Sequence, residues 1–165
     1  METGLNAYIK EQFGITQEVD IRTVSPLTLA YIGDGIYELI VRSVMTARLN
    51  TKAKLLHRQT SQLVKAEAQS RMIEILLPAL SEEEESVYRR GRNAKSPTMA
   101  KNASVNDYRR ATGFEALMGY LYLTDQTARM VELVKLALDT YTPKEERFAE
   151  AHNRHEHHHS GRRQE

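Results

Sequence analysis

The sequence contains no cysteine and no tryptophan. Without thiols there can be no disulfide, no thiolate zinc site and no cysteine nucleophile. Four prolines and eight glycines in 165 residues are too few for a chain of many short strands and turns. No apolar run approaches the ~18–20 residues that a membrane-spanning helix needs. The start, Met1-Glu2-Thr3-Gly4, has no basic stretch leading into an apolar one, so no secretory signal is visible. A soluble, cytoplasmic protein without a membrane partner is the expectation. With 41% apolar side chains the chain is long enough to bury an ordinary core in one domain.

Charge is balanced in total and uneven in detail. The net charge is +1, yet residues 82–85 are four consecutive glutamates. Residues 89–110 then carry Arg89, Arg90, Arg92, Lys95, Lys101, Arg109 and Arg110 against one acid, Asp107. Local basic density of this kind suits phosphate binding, and the whole-chain charge conceals it.

The apolar pattern is helical throughout. Leu5, Tyr8, Ile9 and Phe13 form a short stripe that Gly14 stops. Ser25 and Pro26 are a cap and a first-turn residue for a helix to about Leu49. A second long helix is expected from Lys52 to Leu77, closed by Pro78. Ser81 and Glu84 make a capping box for a helix to about Arg90. A loop covers 91–106, Asp107 caps an almost wholly apolar helix to Leu123, and Asp125 or Thr127 caps a last one to Tyr141. The fold class is therefore all-α, a single domain of about six to seven helices. Residues 1–24 are a short helix and connector, 25–142 the domain, and 143–165 a polar, His-rich tail expected to fray or be disordered.

The most informative feature is where single acids sit. Between Arg22 and Glu38 the only formal charge is Asp34, and between Arg110 and Asp125 it is Glu115. Both fall in the two most apolar helices. An ionised carboxylate in such surroundings needs a compensating group: a guanidinium, a hydrogen-bond network, a proton or a metal ion. Gly33 and Gly35 flank Asp34, and Gly113 and Gly119 lie near Glu115. Mid-helix glycine costs about 1 kcal/mol against alanine, which points to close approach of another helix or of a ligand. One reading is two separate acids, each paired with an arginine. The other is a shared oxygen site, suited to hard cations such as Mg²⁺ or Mn²⁺.

Histidine offers no competing site. Five of six crowd positions 152–159, and His57 is a surface residue or a phosphate contact. The segment Arg89-Arg90-Gly91-Arg92-Asn93-Ala94-Lys95-Ser96-Pro97 combines guanidinium groups with small polar residues, which fits phosphate. The plainer reading is a solvated loop whose arginines pair with Glu82–Glu85. Aromatics do not interleave with these cations, which favours a reader of duplex backbone over a single-strand stacking surface.

Tyr31-Ile32-Gly33-Asp34-Gly35-Ile36 and Phe114-Glu115-Ala116-Leu117-Met118-Gly119, in this order and joined by a basic loop, resemble the two signatures of the ribonuclease III catalytic domain. The resemblance spans about residues 20–140. Arg92-Asn93-Ala94-Lys95 and Tyr37-Glu38 are similar to the mini-ribonuclease III subgroup, bacterial proteins with no separate double-stranded-RNA-binding domain. It implies that Asp34 and Glu115 bind metal and are needed for cleavage. Two further acids of the wider family have no counterpart: Ala30 and Thr112 stand in their places, a reduced set that matches the subgroup. Glu38, one turn after Asp34, is either an outer-shell acceptor or a partner of Arg42, and Thr112 is a candidate outer-shell group.

The resemblance implies a Mg²⁺-dependent endoribonuclease, with Mn²⁺ a substitute ion, that cleaves double-stranded RNA to 5′-phosphate and 3′-hydroxyl ends. It also implies a homodimer paired through the first long helix, and maturation of precursor large-subunit (23S) ribosomal RNA as the task. Arg90, Arg92, Asn93, Lys95 and Lys101 are the expected RNA contacts. The alternatives are a non-catalytic RNA-binding or ribosome-assembly protein that retains the fold, and a helical module for protein contacts.

Overall fold

Capping and periodicity account for most of the architecture in a computed structural model that describes residues 4–95, 104–141 and 143. Among these residues there are seven α-helices and no strand. They are α1 (Leu5–Gln12), α2 (Pro26–Arg48), α3 (Ala53–Val64), α4 (Ala66–Leu76), α5 (Glu82–Asn93), α6 (Val105–Leu123) and α7 (Thr127–Thr140). Lys101 and the tail histidines lie outside the described residues.

The Ser25 hydroxyl accepts from the Thr28 amide, with Pro26 in the first turn of α2. The capping box of α5 is complete: Ser81 Oγ accepts from the Glu84 amide and Glu84 Oε1 accepts from the Ser81 amide. Helix α6 sits at the centre, with α2, α4, α5 and α7 packed around it. Eleven of its residues are buried, as expected of a helix apolar on nearly every side.

Four expectations need correction. The long helix expected over Lys52–Leu77 is two helices, broken at Lys65, whose backbone is extended (φ −66°, ψ 154°). The carbonyls that a continuous helix would satisfy internally are taken by side chains from elsewhere. Tyr37 Oη donates to Leu63 O at 2.7 Å, and Gln69 Nε2 donates to Val64 O at 2.9 Å. These bonds substitute for the lost helical ones. Helix α6 is capped by Ser104, whose hydroxyl accepts from the Asp107 amide, so Asp107 lies in the first turn. Helix α7 has Gln126 at its cap position with no side-chain cap bond, and Asp125 adopts a left-handed φ of 55°. Helix α5 also runs through Asn93, so Arg90, Arg92 and Asn93 are helical.

Candidate active site

The two isolated acids are brought together by main chain. A Cβ on Gly33 would lie 1.7 Å from the Glu115 carbonyl oxygen, and one on Gly119 would lie 1.9 Å from that of Leu29. No side chain fits at either position, so α2 and α6 cross in backbone contact. Gly113 is likewise closed off, by Tyr88 of α5, whereas Gly35 faces open space. The close approach read from glycine thus holds for Gly33, Gly113 and Gly119 and not for Gly35.

This crossing places Asp34 of α2 beside Glu115 of α6. Burial, and then the negative charge of Asp34, push the Glu115 carboxyl up to about 8. The Gln69 amide opposes this shift by hydrogen bonding to Glu115. The Asp34 carboxyl is raised by burial and by the charge of Glu38. Among the described residues no lysine or arginine forms an ion pair with either acid. The reading in which each is neutralised by its own arginine is therefore not what the fold builds. With no cation beside it, the more enclosed of the two, Glu115, is raised by burial and by the like charge of Asp34.

The surroundings hold the pair rigidly. Tyr37 is fully buried, its ring edge-on to Phe114 at 4.9 Å and 89°, and its hydroxyl also donates to Met72 Sδ at 3.0 Å. Tyr37 and Phe114 thus clamp the helical turns that carry Asp34 and Glu115. Gln69, 1% exposed, was invisible to sequence reasoning as a site residue. Its Oε1 is buried with no partner among the described residues. A buried amide in an otherwise apolar helical face was the available signal.

The outer groups separate. Glu38 accepts from Arg42 Nη2 at 2.9 Å, one of the two arrangements expected for it. Thr112 is buried, and its Oγ1 donates to the Tyr108 carbonyl at 3.0 Å. Among the described residues no cluster of three or more ligand-type side chains gathers that could hold a metal. The crossing thus brings together two carboxylates, while Glu38 is tied to Arg42.

On the basic segment, Arg89 pairs with Glu85 at 2.7 Å and Arg110 pairs with Glu74. Arg90, Asn93 and Lys95 are exposed. Arg92 lies over the Tyr88 ring at 5.6 Å and contacts Asn93 Oδ1 at 3.4 Å. An aromatic does therefore associate with the cations, but it is buried and offers no face to a base. Arg90, Arg92 and Lys95 form no ion pair among the described residues.

The ribonuclease III domain family matches residues 27–126. The mini-ribonuclease 3 of Clostridium tetani is 46% identical over 134 residues, 81% of this chain and 89% of the relative. That of Enterococcus faecalis is 50% identical over 117 residues, 70% of this chain and 89% of the relative. An X-ray crystal structure of a protein from Fusobacterium nucleatum superposes with a TM-score of 0.67 at 28% identity, covering 74% of this chain and 98% of that one.

Proposed function

We propose a function from one premise: the chain belongs to the ribonuclease III domain family. It is an endoribonuclease that hydrolyses double-stranded RNA with a divalent metal, Mg²⁺ or Mn²⁺, and Asp34 and Glu115 are its catalytic and metal-binding residues. The observation that carries this reading is the uncompensated carboxylate pair at the α2–α6 crossing, with Glu115 pushed up to about 8. Hard oxygen donors with unbalanced negative charge fit Mg²⁺, which keeps several waters and accepts substrate oxygens as further ligands. When bound, such an ion supplies an activated water and neutralises charge on the phosphate.

The chain's own residues do the rest. Asp34 and Glu115 would hold the ion as carboxylates, for which Glu115 must lose its proton, and Gln69 favours the ionised form of Glu115. Tyr37 and Phe114 keep the two acid-bearing turns in register. In the hydrolysis, water adds to phosphorus, the P–O3′ bond breaks and the 3′-oxygen takes up a proton. The products carry 5′-phosphate and 3′-hydroxyl ends.

Arg90, Arg92, Asn93, Lys95 and Lys101 grip the backbone beside the cut, and Glu38 and Thr112 act behind the two acids. The enzyme works as a homodimer joined through α2, where Tyr31 is 82% and Leu39 51% exposed. Its substrate in the cell is precursor large-subunit (23S) ribosomal RNA, in the cytoplasm. The test is incubation of duplex RNA with the protein, with and without Mg²⁺: cleavage that needs both the ion and Asp34 is expected. Full cleavage by Asp34→Asn would overturn the assignment. Duplex binding without cleavage would favour an RNA-binding protein that keeps the fold. Sedimentation at micromolar concentration should give a dimer.

A further inference from the structure

Away from the acid pair, a cavity of about 470 Å³ opens between the C-terminal half of α2 and the N-terminal half of α3. Arg42, Lys54 and His57 stand on its wall, Met45 and Leu56 on its apolar part, and Thr60 also lines it. Thr60 is 4% exposed, and its side chain makes no hydrogen bond among the described residues. Its hydroxyl reaches the cavity without a protein partner and is open to a ligand or to water.

The chain segment that forms most of this cavity carries charge of one sign. From residue 39 to residue 66 there is no acid, while Arg42, Arg48, Lys52, Lys54, Arg58 and Lys65 all fall in that stretch. Glu38 reaches in from the preceding turn to Arg42, and Asp139 of α7 feels Arg48. Lys54 has no acidic partner among the described residues and is exposed. Such a set recognises an anion through Lys54, His57 and the Thr60 hydroxyl, and the apolar wall suits a ribose face. Arg42 lies eight residues beyond Asp34 on the same helix, about 12 Å along its axis.

We propose that the α2–α3 cleft is a second backbone site, one that holds a phosphodiester of the duplex RNA substrate at a distance from the bond being cut. This rests on the endoribonuclease reading above. The site adds a grip on the substrate at the opposite end of α2 from Tyr31, on elements that the basic segment of α5 does not reach.

The experiment measures binding of a fluorescent RNA duplex by anisotropy over a series of KCl concentrations. The full chain is used, in an Asp34→Asn background so that the RNA stays intact. Lys54→Ala combined with His57→Ala should raise Kd about tenfold, the scale of a lost charge-assisted contact. The slope of log K against log salt should become shallower by about one, as for a lost phosphate contact. Lys54→Arg should retain most of the affinity. In the Asp34-containing enzyme the double variant should raise KM and leave kcat within about twofold, a loss of uniform binding. Both residues are exposed, so Tm should not change and a folding defect is separable. Inorganic phosphate is titrated alongside, followed through the His57 ring resonances. Unchanged Kd and salt slope would overturn the proposal, and so would a response to phosphate without any effect on RNA affinity, which marks a small-anion pocket. Neither outcome touches the cleavage reading, which stands or falls on Asp34→Asn activity.

Discussion

Two partly buried carboxylates in this molecule have opposite electrostatic fates. Glu84, at the start of α5, is 5% exposed and meets Arg129 of α7 through two bonds: Nε to Oε2 at 2.9 Å and Nη2 to Oε1 at 2.8 Å. Arg129 also donates to the Ala79 carbonyl at 2.7 Å. The guanidinium, with the Ser81 amide, holds the Glu84 carboxyl below its usual range despite burial. Glu115, half-buried beside a second acid, is pushed up to about 8 by that burial and then by the acid's charge. The fold can supply an arginine to a buried acid, and it does so where the acid ties α5 to α7. Where it withholds one, the acid keeps its proton until something that arrives from outside compensates the charge. Arg129 accounts for the shift at Glu84, whereas burial and then a second acid account for that at Glu115, the pattern common at reactive sites.

The comparison can be broken most directly by removing the charges. Asp34→Asn or Glu115→Gln should lower kcat for Mg²⁺-dependent RNA cleavage on the order of a thousandfold, the scale of losing a principal transition-state stabiliser. Their circular dichroism should remain native. Glu84→Gln should leave kcat intact and cost about 1.5–3 kcal/mol in urea unfolding, since the charged pair with Arg129 is lost while glutamine can still serve the capping box. If Glu84→Gln abolished cleavage while Glu115→Gln spared it, the division of roles would be reversed.

Proton linkage sharpens the same contrast. Glu115 is raised in the folded state, so its contribution to stability is full below its ordinary carboxyl range and is lost as pH rises through about 8. Glu84 is lowered, so its contribution is present above that range and is lost as pH falls through its folded value. In metal-free buffer, Glu115→Gln should raise Tm at pH 8 by roughly 2–4 °C for about 1 kcal/mol, and should change it little at pH 4. Glu84→Gln should show the opposite pH preference, with its largest penalty near neutrality. Binding of Mg²⁺ at pH 7 should release protons, because the ligand must be ionised. Calorimetry in two buffers of different ionisation enthalpy reads this release, and Glu115→Gln should diminish it. The smallest effect belongs to a third carboxylate: Glu85, paired with Arg89 on the open face of α5, should cost no more than about 0.5 kcal/mol on replacement by glutamine.

The sequence carried the acid pair more clearly than it carried the scaffold that holds it. Asp34 and Glu115 are legible because an uncharged helix makes a single acid conspicuous, and Gly33 and Gly119 announce the crossing. The capping box of α5 is equally legible, since its parts lie three residues apart. Arg129 is not, because it meets Glu84 from 45 positions away. The break at Lys65 has no glycine or proline to mark it. Its cause is a tyrosine hydroxyl from α2 and an amide from α4, which periodicity does not register. Ser104, Asn106 and Asp107 are all capping types within one turn, so the start of α6 could be placed only to within that turn. Gln69 beside Glu115 is hidden for the same reason as Arg129: its role exists only after α4 has packed on α6.

The contact at Gly33 and Gly119 has a consequence for tolerance to change. Helices separated by side chains can drift as those side chains are swapped, each substitution moving the axes by a fraction of an ångström. Here two peptide planes already touch, leaving no spacer whose size could vary. The gap between the two acid-bearing turns is therefore insulated from drift in the surrounding apolar residues, and sequences can diverge around this crossing while the distance across it stays fixed.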